Sequence, residues 1–254
     1  MKLFIFLLSF FLVQSSWSFV VLIDPGHGGE ELGAIKKVKK KIKGKIKTVN
    51  IYEKNLCLKL AKLVKKNLDP YYTTYLTRSI DRTVGLGERA QLAEDVKADL
   101  FVSIHFNSSE YTKSEGFETY YLDNHADVAV KKVENIENKF LKGAEKIVNQ
   151  ILIDLVISKT VTESKKLANN VHKNIKSNIE NKFKMKDRGV KPGLFYVLAL
   201  SKRPGILIEV GFVSNDKEIW KIQKASFLEG YAKAIAKGIK DHLKGKKDKD
   251  LPFF

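Results

Sequence analysis

Short, continuous apolar runs alternate along this chain with segments in which apolar positions recur every three or four residues. Phe19–Ile23, Leu100–Ile104 and Ile206–Ile208 are runs of strand length, suited to strands buried on both faces. Tyr71–Leu76, Gly116–Leu122 and Phe195–Leu200 read as further strands. Glu53 opens a helical pattern carried by Leu56, Leu60, Leu63, Val64 and Leu68, and Asp69-Pro70 stops it. Leu86–Val96, Ile147–Ile157, Leu167–Ile179 and Phe227–Leu243 read as helices, and Lys186–Val190 reads as a turn. Strands alternating with helices predict an α/β fold: a single domain on a mostly parallel, twisted sheet with helices on both faces.

Three of the runs end on residues that carry chemistry. The first enters Asp24-Pro25-Gly26-His27-Gly28-Gly29, the second ends on His105, and the third ends on Glu209. In an open parallel sheet the site lies beyond the carboxyl ends of the strands. One sheet can therefore gather two histidines and a glutamate from distant parts of the chain, as hydrolytic metal sites do. His125, His172 and His242 have no such context and read as surface or helix-face histidines.

Composition narrows the class. With 44% hydrophobic and 30% charged residues over 254 positions, the chain has the make-up of a folded globular protein. Lys2, the apolar stretch Leu3–Val13 and the small residues Ser16 and Ser18 read as a secretory signal peptide over residues 1–18, cleaved after Ser18. On this reading the protein is exported to the periplasm or cell envelope, with no stable membrane anchor after cleavage. Cys57 is the only cysteine, which excludes an intramolecular disulfide and a Cys-rich metal motif, and it falls in the helical pattern as a small core residue.

The net charge is +17, and +16 without the signal and its Lys2. For an exported protein this points to an acidic envelope polymer or membrane face. No nucleic-acid motif accompanies it, and aromatics do not interleave with the basic runs, so no nucleic-acid partner is expected. The charge is densest in Lys36–Lys47, which alternates basic and apolar residues around Gly44 and reads as an exposed hairpin. Residues 244–254 form a basic tail.

Four stretches, in order, carry a resemblance. They are Ile23–Gly29, Glu53 with Asn55-Leu56, Ser103-Ile104-His105-Phe106-Asn107, and Ile208-Glu209-Val210-Gly211-Phe212-Val213-Ser214-Asn215. Thr77-Arg78 with Asp81 and Arg89, Gly116–Leu122 and Arg188-Gly189-Val190 support them. Together they resemble the zinc-dependent N-acetylmuramoyl-L-alanine amidases of type 3, in the branch of the bacterial cell-separation amidases, with the catalytic domain over residues 19–243.

The resemblance implies Zn2+ held by His27, Glu53 and His105, with water in the open position, and Glu209 as general base and later proton donor. The substrate would be peptidoglycan, cut at the amide between N-acetylmuramic acid and L-alanine during cell separation or wall remodelling. Asp24 or Asn107 would orient a ligand histidine, although Asp24 reads equally as turn chemistry. Arg188 would bind a stem-peptide carboxylate or only fix its turn. Residues 36–47 are a basic insertion relative to the family, and 123–166 a helical one. In the cell-separation branch such a helix covers the site until a LytM-type activator displaces it, and Glu134 or Glu137 would be the inhibitory glutamate. There are two rivals: a non-catalytic peptidoglycan-binding protein on the same fold, and a zinc peptidase cleaving within the stem peptide.

Overall fold

A computed structural model describes residues 19–123, 144–246 and 251–252; side chains are described from Ile151 onward in the second stretch. The signal-peptide residues, His125, Glu134 and Glu137 lie outside the described residues. The chain runs β1 (Val20–Pro25), β2 (Ile35–Ile42), β3 (Lys45–Tyr52), α1 (Glu53–Leu68), β4 (Thr73–Leu76), α2 (Leu86–Asp95), β5 (Leu100–Asn107) and β6 (Phe117–Leu122). It continues with α3 (Ala144–Phe183), β7 (Asp187–Gly193), α4 (Tyr196–Ser201), β8 (Gly205–Phe212), α5 (Glu218–Ile222) and α6 (Ala225–Leu243). Six strands form one sheet in the order β4-β1-β5-β8-β6-β7. Every pairing is parallel except β6 with β8.

Strand periodicity divides the side chains between two cores. Val21, Ile23, Val102, Ile104, Ile206 and Ile208 pack with α1, α6 and the later turns of α3. Leu22, Phe101 and Leu207 face the other way and pack with α2, α4 and the early turns of α3. Helices thus cover both faces, as the continuous apolar runs require. The same parity places Asp24, Ser103, His105 and Glu209 on the second face, where the apolar cover stops and the strands end.

Three local expectations are corrected. Phe195–Leu200 is not a strand: Tyr196–Ser201 form the short helix α4. Five of its six residues are buried, so no polar face exposes a helical period. Lys186–Val190 is not merely a turn: Asp187–Gly193 form β7, an edge strand, where Pro192 leaves no central ladder bond unmade. The helices expected at 147–157 and 167–179 are one 40-residue helix. The polar residues between them read as a break, but the Thr160 hydroxyl donates to the Val156 carbonyl at 2.8 Å and Ser164 Oγ accepts the Gly205 N–H at 3.0 Å.

His172 is also not a surface histidine. It is buried, with Nδ1 3.0 Å from the Thr119 hydroxyl and Nε2 2.7 Å from Asp187, tying α3 to β6 and β7. His242 is buried as well, on α6. Cys57 is fully buried, as expected.

Burial opposes ionisation of Asp187, but hydrogen bonds from Lys176, His172 and the Gly189 N–H outweigh it and bring its pKa down to about 2. The stabilisation from its charged form is therefore complete above the ordinary carboxylate pKa and is lost as pH falls through about 2. Asp187→Asn is expected to destabilise the fold by about 1.5–3 kcal/mol at neutral pH. In urea melts the gap between variant and wild type should narrow between about pH 4 and pH 2; a gap independent of pH would contradict this account.

Candidate metal centre

Glu53 is the first residue of α1, and β3 delivers it directly to the carboxyl ends of the sheet. Its Oε1 lies 3.2 Å from His27 Nε2 and 3.2 Å from His105 Nδ1, and accepts the Phe106 N–H at 3.0 Å. Its Oε2 accepts the Ala34 N–H at 2.8 Å. Burial disfavours the charged carboxylate, but the hydrogen bonds of the two imidazoles prevail, and Glu53 is held well below the usual carboxylate range. One ligand atom from each of His27, Glu53 and His105 falls within 4.8 Å of the others.

The donor set suits a borderline-soft divalent ion. Bonds of about 2.0–2.1 Å at a tetrahedral centre put ligand atoms about 3.4 Å apart. The two 3.2 Å separations are close to that edge length. Two imidazoles and one carboxylate form a three-ligand set of the kind found in catalytic zinc sites, which leave a position open.

Two glycines make room. A Cβ at Gly26 would strike the His105 ring, so the ring can lie against the chain only because there is none. At Gly33, where φ is +64°, a Cβ would come within 2.6 Å of both Glu53 Oε2 and His27 Cδ2.

Buried guanidinium groups hold the ligand-bearing turns. Arg78 donates to the carbonyls of Pro25 at 3.0 Å, Gly26 at 2.7 Å and Lys54 at 2.8 Å, locking the His27 turn to the start of α1. Arg89 donates to the His27 carbonyl at 3.0 Å and forms a buried ion pair with Asp24. Burial raises the cost of charge on Asp24, yet Arg89, Thr77 and Ser103 together keep its pKa below the ordinary value. Asp81 accepts the Gly29 N–H at 2.8 Å and Lys54 Nζ at 2.7 Å.

These contacts revise the expectations for the supporting residues. Asp24 does not orient a histidine ring: its carboxylate is taken up by Thr77, Arg89 and Ser103, and its influence on His27 runs through Arg89 to the backbone. The Asn107 amide N–H donates to Glu118 at 2.7 Å. Arg188 donates to Glu118 at 2.8 Å, and its guanidinium lies over the Phe212 ring.

Register places the remaining groups in a row. His105 pairs with Glu209 across β5 and β8, and Glu209 pairs with Glu118 across β8 and β6. All three side chains therefore share one face and line a cleft of about 750 Å³ with Tyr120, Arg188 and Lys191. The chain pattern did not single out Glu118. Burial works against its charge, but Lys191 and Arg188 more than compensate, and its pKa is lowered. Its only sequence signal is a lone carboxylate inside the apolar run Phe117–Leu122.

Two imidazoles and a carboxylate gathered at the strand ends could hold a metal ion, and a further carboxylate stands on the adjacent strand. The chain belongs to the N-acetylmuramoyl-L-alanine amidase family, which it matches over residues 21–241. It is 31% identical over 230 residues to the N-acetylmuramoyl-L-alanine amidase AmiA of Escherichia coli (strain K12), covering 87% of this chain and 74% of that one. It is 29% identical over 234 residues to AmiC of Escherichia coli O6:H1, covering 88% of this chain and only 52% of the relative. The fold is similar to the crystal structure of N-acetylmuramoyl-L-alanine amidase from Clostridium difficile 630, with a TM-score of 0.65, 28% identity, and coverage of 91% of this chain and 99% of that one.

The Asp24–Arg89 pair generates a stability test. Arg89→Leu would leave a fully buried carboxylate without its guanidinium, a loss of about 3–5 kcal/mol. Thermal melts should show the Asp24→Asn/Arg89→Leu double variant recovering part of that loss. If the double variant is less stable than Arg89→Leu alone, the pair is not coupled in this way.

Proposed function

We infer that the protein is a zinc-dependent amidase that hydrolyses the bond between N-acetylmuramic acid and L-alanine in peptidoglycan. The observation that carries this is the convergence of His27, Glu53 and His105 beside Glu209, in a chain of the amidase family. His27, Glu53 and His105 would hold the ion. A bound zinc ion supplies Lewis acidity toward the amide carbonyl and a water acidic near neutral pH.

The protein's own groups account for the rest of the reaction. Glu209, presented in register with His105, takes a proton from the attacking water and returns it to the leaving amine nitrogen of L-alanine. Tyr120, Arg188 and Lys191 form the wall of the cleft beyond Glu209. Glu118 neutralises the two cations in part while fixing where they stand. A stem-peptide carboxylate entering there would meet Arg188, the first of the two roles left open for that residue, at the guanidinium that Glu118 holds in place.

Residues 1–18 act as a signal peptide in this reading, and the enzyme works in the periplasm or cell envelope, in cell separation or wall remodelling. Among the described residues no helix is long and apolar enough to cross a membrane. The inhibitory role for Glu134 or Glu137, relieved by a LytM-type activator, is retained as part of the proposal.

The test is digestion of purified peptidoglycan by the chain beginning at Phe19, with products identified by mass. Free stem peptides and intact glycan are expected, with activity lost to a chelator and restored by zinc. Glu209→Gln should slow cleavage by about 10²–10⁴-fold while leaving zinc affinity near wild type. Gly33→Ala should weaken zinc binding by at least about tenfold in competition with a chromophoric chelator. Cuts within the peptide would favour a zinc peptidase. No release by either the wild type or a deletion of Val133–Leu141 would favour a binding protein.

A further inference from the structure

The basic insertion is a two-stranded antiparallel hairpin, β2 with β3, that belongs to no other sheet. Its root is fixed to the body. Val38 is buried in the main core, Lys36 Nζ reaches the Ser214 carbonyl at 2.9 Å and Asp216 at 2.6 Å, and Lys40 Nζ reaches Gln223 at 2.6 Å. Beyond Lys40 the support ends. All residues from Lys41 to Thr48 are exposed, so the distal half stands free of the domain among the described residues.

That free end has the sequence Lys41-Ile42-Lys43-Gly44-Lys45-Ile46-Lys47. Lys43 and Gly44 form the turn, with φ of 48° and 79°, the primed geometry of a two-residue hairpin. Lys41 pairs with Ile46 and Ile42 with Lys45, so each face of the tip carries one isoleucine opposite one lysine. Ile46 is 74% exposed and Ile42 38%. None of Lys37, Lys39, Lys41, Lys43, Lys45 and Lys47 has an acidic partner among the described residues.

These features discriminate between anionic counterparts. A linear polyanion is met along one face, and exposed isoleucines on both faces would contribute nothing to it. A planar anionic surface met end-on uses both. The isoleucines enter the apolar boundary, while lysines on flexible stems reach phosphates around them. We propose that the β2–β3 hairpin is a membrane-docking arm that inserts its Ile42/Ile46 tip, ringed by lysines, into an anionic phospholipid surface. At about 3.3 Å per residue, eight-residue strands would hold the His27–Glu53–His105 cluster about 25 Å from the headgroups. This docking is independent of the reaction assigned to the cleft.

The test is co-sedimentation of the chain beginning at Phe19, which retains every described element, with phospholipid vesicles. Binding is expected to phosphatidylcholine vesicles containing about one-third phosphatidylglycerol, and not to pure phosphatidylcholine, with loss at about 0.5 M salt. Lys41→Gln/Lys43→Gln/Lys45→Gln/Lys47→Gln should weaken it by at least about tenfold. Ile42→Ser/Ile46→Ser, which leaves the charge unchanged, should weaken it several-fold while binding to soluble polyphosphate stays at the wild-type level. Both variants change only exposed side chains and should keep the wild-type melting temperature. Wild-type vesicle binding by the isoleucine variant, or binding of the wild type to polyphosphate and not to vesicles, would overturn the proposal.

Discussion

The carboxylate of Glu53 is the tie on which the rest of the site depends. Its two oxygens reach both histidines and the backbone of two separate segments, at Ala34 and Phe106. A buried carboxylate is expensive unless its lone pairs are filled, and here each oxygen has a partner from a different part of the chain. Buried, the side chain keeps its charge without a large desolvation cost only while the His27 turn, the β2–β3 excursion and the end of β5 supply these partners. Folding and site assembly are thus one event at this residue.

The second constraint is the pair of buried arginines beneath it. Arg78 and Arg89 donate to the carbonyls of Pro25, Gly26 and His27, where the backbone turns away from β1, and Arg78 also donates to the carbonyl of Lys54 in the first turn of α1. His27 sits at a φ of 57°, a strained value for a residue with a Cβ, and Arg89 is bonded to its carbonyl. A planar guanidinium spreads its donors over a fixed fork and so reaches carbonyls farther apart than the single nitrogen of a lysine can. The turns that carry the candidate ligands are therefore held by a buried polar layer.

Much of this was legible in the chain, for a specific reason. Strands buried on both faces are continuous apolar runs, so Asp24, His105 and Glu209 stand out as buried polar residues where those runs end. The α/β fold follows from the same runs. Glu53 was legible only through family resemblance, because a glutamate opening a helix is ordinary in itself. The partners of Asp24 and Asn107 were not legible, since hydrogen-bond choice depends on register: Asn107 and Glu118 meet only because β6 runs antiparallel to β8. Buried helix α4 and proline-bearing edge strand β7 were misread because burial on all sides erases periodicity and an edge tolerates what a centre does not.

The position of the hairpin explains why so large an excursion is compatible with a precise site. It leaves the domain after Ala34 and returns at Glu53, so its two ends are the two residues joined by the 2.8 Å bond from the Ala34 N–H to Glu53. The Glu53 N–H in turn reaches the Ala34 carbonyl at 2.9 Å, closing the base. With the base closed, loop-closure entropy grows only slowly with the length added above it. The ligand geometry is insulated from whatever the arm carries at its far end, so the tip can be lysine and isoleucine without consequence for the imidazoles. Charge that would be disruptive beside the cluster is displaced along the strands into solvent, which lets one short segment combine a fixed root with a variable, strongly basic extremity.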